Sequence, residues 1–386
     1  MNKNLGIYIH VPFCKSRCNY CDFYSNTCFS DDLLDKYTAK ICEDLAGFAN
    51  ILKLPPVICD GLPPRERRGQ GLQADTLYFG GGTPSLLGAS RIAKIIDVTR
   101  KSFVFKNPEI TLEMNPCGAD LKFMQGLKSA GINRLSVGLQ SANVDELEFL
   151  GRRHTAGDFK KCVDLAHRCG IENISADIIL GAKNQTVKTL DKTIDFCMNL
   201  PLSHISAYIL KVESGTNLHG KYDVDEDFAA DLYLHLAGRL KTFGFNQYEI
   251  SNFARNGQKS RHNLKYWQLD DYIGLGPAAH SCYGGKRFAY EKSLEKYLEN
   301  YEFVPPNFCD EMDFFAEYVM LGLRLADGIC LKFIAEEFGK DIAGKLTARA
   351  KIFTKKNLIK FEKDSLKLTT KGFLLSNLII NSLLNE

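Results

Sequence analysis

Over residues 1–250 short β-rich runs alternate with stretches of helical period, and this alternation constrains the fold more than any other feature of the chain. The runs are residues 6–10, 76–79, 110–114, 135–139, 174–179 and 204–210, rich in β-branched and aromatic side chains. Between them Leu34, Tyr37, Ile41, Leu45 and Phe48 fall on one helical face, and Leu190, Ile194 and Cys197 on another. Phe228, Leu232, Leu236, Leu240 and Phe243 follow the last run at the same spacing. A strand followed by a helix and a strand can close only as a parallel pair with a right-handed crossover. Repetition of that unit leaves two α/β architectures, a barrel or a doubly wound sheet.

The pattern changes after about residue 285. Residues 314–325, 331–338 and 342–353 read as helices, 358–361 and 366–368 as two strands joined at 362–365, and 370–384 as a last helix. Helices around a β-wing predict a winged-helix-like α+β domain over 286–386, following a first domain over 1–285. With 386 residues, 45% hydrophobic and 25% charged, the chain can bury two cores. Lys and Arg number 49 against 46 Asp and Glu, too balanced for a polyanion partner, so no nucleic acid is expected. No apolar run approaches the roughly 18 residues of a membrane span. The apolar start, residues 5–13, carries His10 and runs into cysteines, unlike a signal peptide, and a cytoplasmic location is expected. Proline pairs at 55–56 and 63–64, with Arg65, Arg67 and Arg68, mark a solvated insertion near residues 55–73.

Thirteen cysteines, an odd number, point to a reducing compartment rather than a disulfide framework. Cys42, Cys162, Cys169, Cys197, Cys282 and Cys330 sit in apolar-periodic segments as small core residues. Cys14, Cys18 and Cys21 differ: they form C-x3-C-x2-C directly after the first strand. Structural zinc takes four ligands, so that reading needs Cys28 or a distant His. Iron–sulfur clusters also normally take four cysteines. Three thiolates would therefore leave one iron open to a substrate, and this is the favoured reading. In a parallel barrel the chemistry gathers at the C-terminal strand ends. There the chain places Gly80-Gly81-Gly82-Thr83-Pro84, Glu113, Gln140 and Asp177, with Arg152 twelve residues beyond Gln140. One rim is polar.

C-x3-C-x2-C after a first strand resembles the radical S-adenosylmethionine (SAM) superfamily. The resemblance implies a partial (β/α)6 TIM-like barrel and a 4Fe-4S cluster on Cys14, Cys18 and Cys21. It further implies that SAM chelates the open iron and is cleaved by one electron to methionine and a 5′-deoxyadenosyl radical. The segment Tyr8-Ile9-His10-Val11-Pro12-Phe13-Cys14 is similar to the opening motif of the anaerobic coproporphyrinogen oxidase-like branch. By that similarity Tyr8, Tyr20, Gly81, Gly82, Thr83, Glu113, Gln140, Arg152 and Asp177 match SAM-contacting positions, with the run from Gly80 beside the SAM amino group.

Within the branch, Phe23 stands where the oxidase carries a further cysteine. Residues 247–254 (QYEISNFA), 262–267 (HNLKYW) and 274–281 (GLGPAAHS) resemble the HemW family of heme chaperones, as does the carboxyl domain. This implies heme as cofactor or cargo, with His262 as axial ligand beside Tyr266 and Trp267. It implies also an acceptor protein, respiratory and membrane-bound. Taken by itself, His262 reads first as a residue that caps or hydrogen-bonds locally among core aromatics, and only the resemblance favours the heme ligand. An oxygen-independent coproporphyrinogen III oxidase, a radical SAM methyltransferase and a non-catalytic metal-structured scaffold are the competing functions. Gly181-Ala182-Lys183-Asn184 departs from the family's Gly-Leu-Pro after strand five.

Overall fold

The computed structural model describes residues 4–53, 73–299 and 307–385. Six parallel strands lie in chain order: β1 (Leu5–Val11), β2 (Gln73–Gly81), β3 (Val104–Met114), β4 (Arg134–Gln140), β5 (Asn173–Leu180) and β6 (His204–Ile209). The crossovers carry α1 (Asp31–Lys53), α2 (Gly88–Ser102), α3 (Leu121–Ala130), α4 (Val144–Phe149), α5 (Ala156–Arg168) and α6 (Val187–Met198), and α7 (Glu226–Thr242) follows β6. All six strands foreseen in the sequence are present. The insertion around residues 55–73 lies almost wholly outside the described residues.

The sheet does not close. Beyond β6 it continues antiparallel through β8 (Asn252–Ala254) to β7 (Asn246–Gln247). Beyond β1 it continues through β9 (Tyr272–Leu275), β10 (His280–Tyr283), β11 (Lys286–Ala289) and β12 (Asn307–Glu311). The result is an open 12-stranded sheet, a partial barrel in its parallel part. A short helix, α8 (Arg261–Trp267), lies between β8 and β9, and α9 (Leu294–Glu299) follows β11.

Alternation decides the two faces of the sheet. Ile7, Ile9, Val11, Leu77, Phe79, Ile110, Leu112, Leu135 and Val137 pack into the main core with the helices. Their alternates share rungs on the concave face: Tyr8, Tyr78, Thr111 and Arg134 on one, His10 and Gly80 beside Glu113, Ser136 and Ser175 on the next. The inside of this barrel is therefore built largely from polar and aromatic side chains, where branched aliphatics fill an ordinary TIM barrel.

Helix α7 corrects one expectation. Its buried seam is Ala229, Leu232, Tyr233, Leu236 and Leu240, while Phe228 and Phe243 are exposed. Asp225 caps the helix through the Phe228 amide, so Phe228 belongs to the solvent-facing first turn.

The carboxyl region comprises α10 (Phe314–Gly322), β13 (Ile329–Cys330), α11 (Leu331–Glu337), α12 (Lys340–Thr354), β14 (Ile359–Glu362), β15 (Ser365–Leu368), α13 (Thr370–Leu374) and α14 (Ser376–Leu384). Its three-stranded sheet has the order β13-β15-β14. The two-residue strand β13 was not legible as a strand, and the final helix breaks at Leu375. Val319, Leu323, Ile334, Leu346, Phe353, Leu366 and Ile379 form a core separate from the main one. Among the described residues no helix is long and apolar enough to cross a membrane.

Candidate cofactor site

The cysteine loop leaves β1 through a tight neck. The Cys14 amide donates to the Asn26 carbonyl (3.0 Å), and the Asn26 amide to the Pro12 carbonyl (2.6 Å). Asn19 pins the far side: its side chain donates to the Phe149 carbonyl (2.8 Å) and its amide to the Leu150 carbonyl (3.1 Å). The Asn19 carbonyl accepts from the Leu218 amide (3.1 Å). The loop is thus held by the segments after β4 and after β6, which sequence inspection did not reveal. Gly151 makes this possible, because a Cβ there would stand 2.9 Å from Asn19 on a backbone with φ of +71°.

Cys14 is buried, whereas Cys18 and Cys21 are half-buried, and every described cysteine is free of a disulfide. Burial pushes the Cys14 and Cys21 thiols up, and the neighbouring cysteines of the triplet push them further. Among the described residues no three His, Cys, Asp or Glu side chains converge as they would on a single ion. Thiolates around one zinc must all come within about 2.3 Å of it. Three cysteines on one tight loop leave a mononuclear zinc one ligand short, so this donor set fits a cluster with an open iron better than a mononuclear ion. Cys28, the fourth ligand of the zinc reading, is exposed.

The glycine loop after β2 is stitched to the cysteine loop. Gly82 donates to the Val11 carbonyl (2.8 Å) and Thr83 to the Phe13 carbonyl (2.7 Å). Thr83 Oγ1 lies 3.5 Å from Cys14 Sγ and accepts from Asn115 Nδ2 (3.3 Å). Close approach was expected here for a ligand; the structure shows that the protein itself already demands it. A Cβ on Gly80 would meet Tyr8 at 2.8 Å, one on Gly81 the His10 ring at 2.8 Å, and one on Gly82 the Phe13 carbonyl at 2.7 Å.

The remaining rim residues gather beside these loops. Glu113 accepts from the Tyr78 hydroxyl (2.6 Å) and, weakly, from the Gly81 amide (3.3 Å). Burial, reinforced by Asp177, lifts its carboxyl to about 7. Asp177 accepts from Ser136 (3.0 Å), and burial raises it too. Arg152 reaches Cys18 Sγ (3.3 Å), Asn115 Oδ1 (2.6 Å) and the Gly138 carbonyl (3.1 Å). A Cβ on Gly138 would lie 2.7 Å from Gln140 Nε2 and 3.0 Å from the Arg152 guanidinium, so both side-chain ends would have to shift to admit one. Gln140 itself takes a positive φ of 64° at the end of β4. Burial raises the Tyr20 and Tyr8 hydroxyls, and Tyr8 bonds His10 Nδ1 (3.2 Å). Asn19, Tyr78, Asn115 and Gly138 are the site residues that sequence reasoning missed; alternation along β2 and β4 was the available signal for Tyr78 and Gly138.

His262 stands elsewhere. Its Nδ1 pairs with Thr76 Oγ1 (2.8 Å) and its Nε2 with the Tyr266 hydroxyl (2.9 Å), and the residue is wholly buried. Its ring stacks on Tyr78 with centroids 5.1 Å apart. Burial holds the imidazole neutral, down to about 3. Thr76 pairs with Gly6 at the N-terminal end of β1, about 16 Å of strand from the cysteine loop. So α8 plugs the base of the barrel, and heme ligation by His262 would first require the hydrogen bond at the ligating ring nitrogen to break and the buried ring to be uncovered. Tyr266 and Trp267 are half-buried around it. The other singled-out segment clamps the carboxyl region: Tyr248 bonds His204 Nε2 (2.8 Å) and accepts from the Ala326 amide, and Ile250 donates to the Arg324 carbonyl. Phe23 is 64% exposed beyond Cys21, and Lys183 is exposed at the end of β5.

Comparison with known proteins agrees with this geometry. Residues 8–197 match the Radical SAM superfamily, and residues 310–375 the HemN C-terminal domain. The chain is 30% identical to heme chaperone HemW of Bacillus subtilis (strain 168), over 98% of this chain and 99% of the relative. It is 35% identical to heme chaperone HemW of Synechocystis sp. (strain ATCC 27184 / PCC 6803 / Kazusa), over 83% and 78% of the two chains. Its fold is that of the radical SAM enzyme coproporphyrinogen III oxidase (HemN) from Escherichia coli, with a TM-score of 0.80 at 19% identity over 99% of this chain and 90% of that one.

Proposed function

The chain belongs to the HemW family of heme chaperones, and on that premise we propose that it binds heme and passes it to an acceptor protein, using a 4Fe-4S cluster with SAM at its open iron. The observation that carries the cofactor half is the stitching of the glycine loop onto the cysteine loop, which puts the Cys14 thiol against Gly82 and Thr83. The donor set fits: Cys14, Cys18 and Cys21 would hold the cluster, and Gly82, Thr83 and Glu113 line the adjoining space. When bound, the pair supplies one-electron cleavage of SAM. The protein holds the thiols on a loop anchored at three places, with Cys14 buried and Cys18 and Cys21 half-buried.

Glu113 offers a direct test of SAM binding. A carboxyl at about 7 is largely protonated at pH 6, and the N–H groups of a ligand amine hydrogen-bond to its ionised form and so favour it. Binding therefore releases a proton in the window between the ordinary carboxylate range and 7. Affinity for SAM, measured by anaerobic titration of cluster-loaded protein, is expected to rise about tenfold from pH 6 to 8 and then level off. Glu113→Gln should bind more weakly with a flat profile. The sign for folding is opposite: the contribution of Glu113 is fully present below the ordinary carboxylate range and is lost as pH rises through 7.

The heme half rests on family membership, and the acceptor is proposed to be a respiratory membrane protein, with the chaperone itself cytoplasmic. Anaerobic heme titration followed by absorption tests it; no saturable binding would overturn it. The enclosed position of His262 gives a sharper expectation. His262→Ala should cost about 2–4 kcal/mol of stability by leaving a cavity and unpaired Thr76 and Tyr266 hydroxyls. The heme spectrum of the folded variant should be unchanged. A heme spectrum lost while the fold survives would instead make His262 the axial ligand. Phe23 in place of the oxidase's further cysteine argues against coproporphyrinogen decarboxylation.

A further inference from the structure

Arg152 is held by three acceptors at once. One arm of its guanidinium donates to Asn115 Oδ1 (2.6 Å) and the Gly138 carbonyl (3.1 Å), and the other points at Cys18 Sγ (3.3 Å). The missing Cβ of Gly138 leaves the space in which the fork lies. A half-buried cation fixed in this way cannot swing freely toward water, and its planar fork loses little entropy in the contact. Hydrogen bonds to the sulfurs, local charge and burial are what set the potential of an iron–sulfur cluster.

We infer that Arg152 tunes the reduction potential of the cluster through its N–H···S contact with Cys18, an inference that rests on the radical SAM reading above. Reduction adds one electron, supplied by a low-potential one-electron donor, and makes or breaks no bond at the cysteines. The added negative charge resides partly on the thiolate sulfurs. A guanidinium within hydrogen-bonding distance of one of them stabilises the reduced form more than the oxidised form.

The test is the midpoint potential of the reconstituted full-length protein without SAM, by dye-mediated titration followed by electron paramagnetic resonance. Wild type is compared with Arg152→Met, Arg152→Gln and Arg152→Lys. Loss of the cation in Arg152→Met should lower the reduced-to-oxidised ratio at a given potential by at least tenfold, about 59 mV for one electron. Arg152→Lys, which keeps charge without the fork, should fall between it and wild type. A merely structural role would change iron content but leave the midpoint of the remaining cluster where it was. If Arg152→Met takes up no cluster, Arg152→Gln and Arg152→Lys carry the comparison. Midpoints equal to wild type, or shifted upward, overturn the inference while leaving the radical SAM reading intact. Wild type that takes up no cluster at all overturns both.

Discussion

Cys18→Ala is expected to abolish the iron–sulfur absorption and with it SAM binding, while leaving the apo fold within about 1 kcal/mol of wild type. Cys18 is half-buried on a loop, and no core residue depends on its side chain. The anchors of that loop are made by Asn19, Asn26 and backbone groups, which the substitution does not touch. A cluster held by three thiolates has no spare ligand, so removing one leaves two of the four irons bound to the protein. Cys14→Ala and Cys21→Ala should behave alike, with some added instability for Cys14 because it is buried against Thr83. Cys28→Ala is the informative control, for Cys28 is exposed and its amide, not its thiol, bonds the Asn26 side chain. Iron and acid-labile sulfide per chain, with a thermal melt of each apo variant, settle the matter. Equal iron loss in Cys28→Ala would show a four-cysteine site and remove the open iron on which SAM binding depends.

Gly82→Ala is the second substitution with a large expected effect. Its Cβ would lie 2.7 Å from the Phe13 carbonyl oxygen, 3.0 Å from that of Val11 and 3.1 Å from Cys14 Sγ. Both oxygens accept the hydrogen bonds that stitch the two loops, so neither can retreat without breaking one. The overpacking cost is about 1–3 kcal/mol, and the larger consequence is a displaced Cys14 with severely reduced cluster incorporation. Gly238→Ala gives the contrast. It lies in the middle of α7 with nothing within 4 Å of its Cβ position, so the same chemical change should stabilise the protein by about 0.5–1 kcal/mol. Denaturant unfolding of the two variants tests the pair; stabilisation in both would show that the loops are less tightly joined than the structure has them.

Much of the fold was legible because burial on one face writes itself into periodicity. The six parallel strands were found by their apolar runs, and the two longer strands of the wing by their spacing within the helical region. The short pieces were not. Strand β13 has two residues, too few for an alternation, and exists only because Leu366 and Ser365 offer it a partner. Periodicity alone left a barrel and an open sheet undecided, and only the resemblance implied a partial barrel, since whether β6 meets β1 depends on what joins each edge. Here β8 and β9 occupy those edges.

The site divides along the same line. The spacing of Cys14, Cys18 and Cys21 within one tight loop, and the polar residues at successive strand ends, are local features, and local chemistry is what a sequence records directly. Which groups face each other across the barrel is set by strand register and by close approach of backbones. Arg152 on Cys18, Asn19 under Leu150 and Gly82 against Phe13 join residues from 69 to 134 positions apart. His262 shows the limit most clearly. On its own it read as a locally bonded residue among core aromatics, and only the family resemblance made it an expected heme ligand beside Tyr266 and Trp267. Only the packing of α8 against Gly6 and Thr76 shows both ring nitrogens already bonded in a buried layer beneath the rim. By itself, then, the sequence determined the order of the elements and the donor set, because periodicity and spacing are properties of neighbouring residues. Tertiary structure alone decided which donors meet and which histidine is enclosed, because those outcomes depend on distances between segments that the chain brings together only on folding.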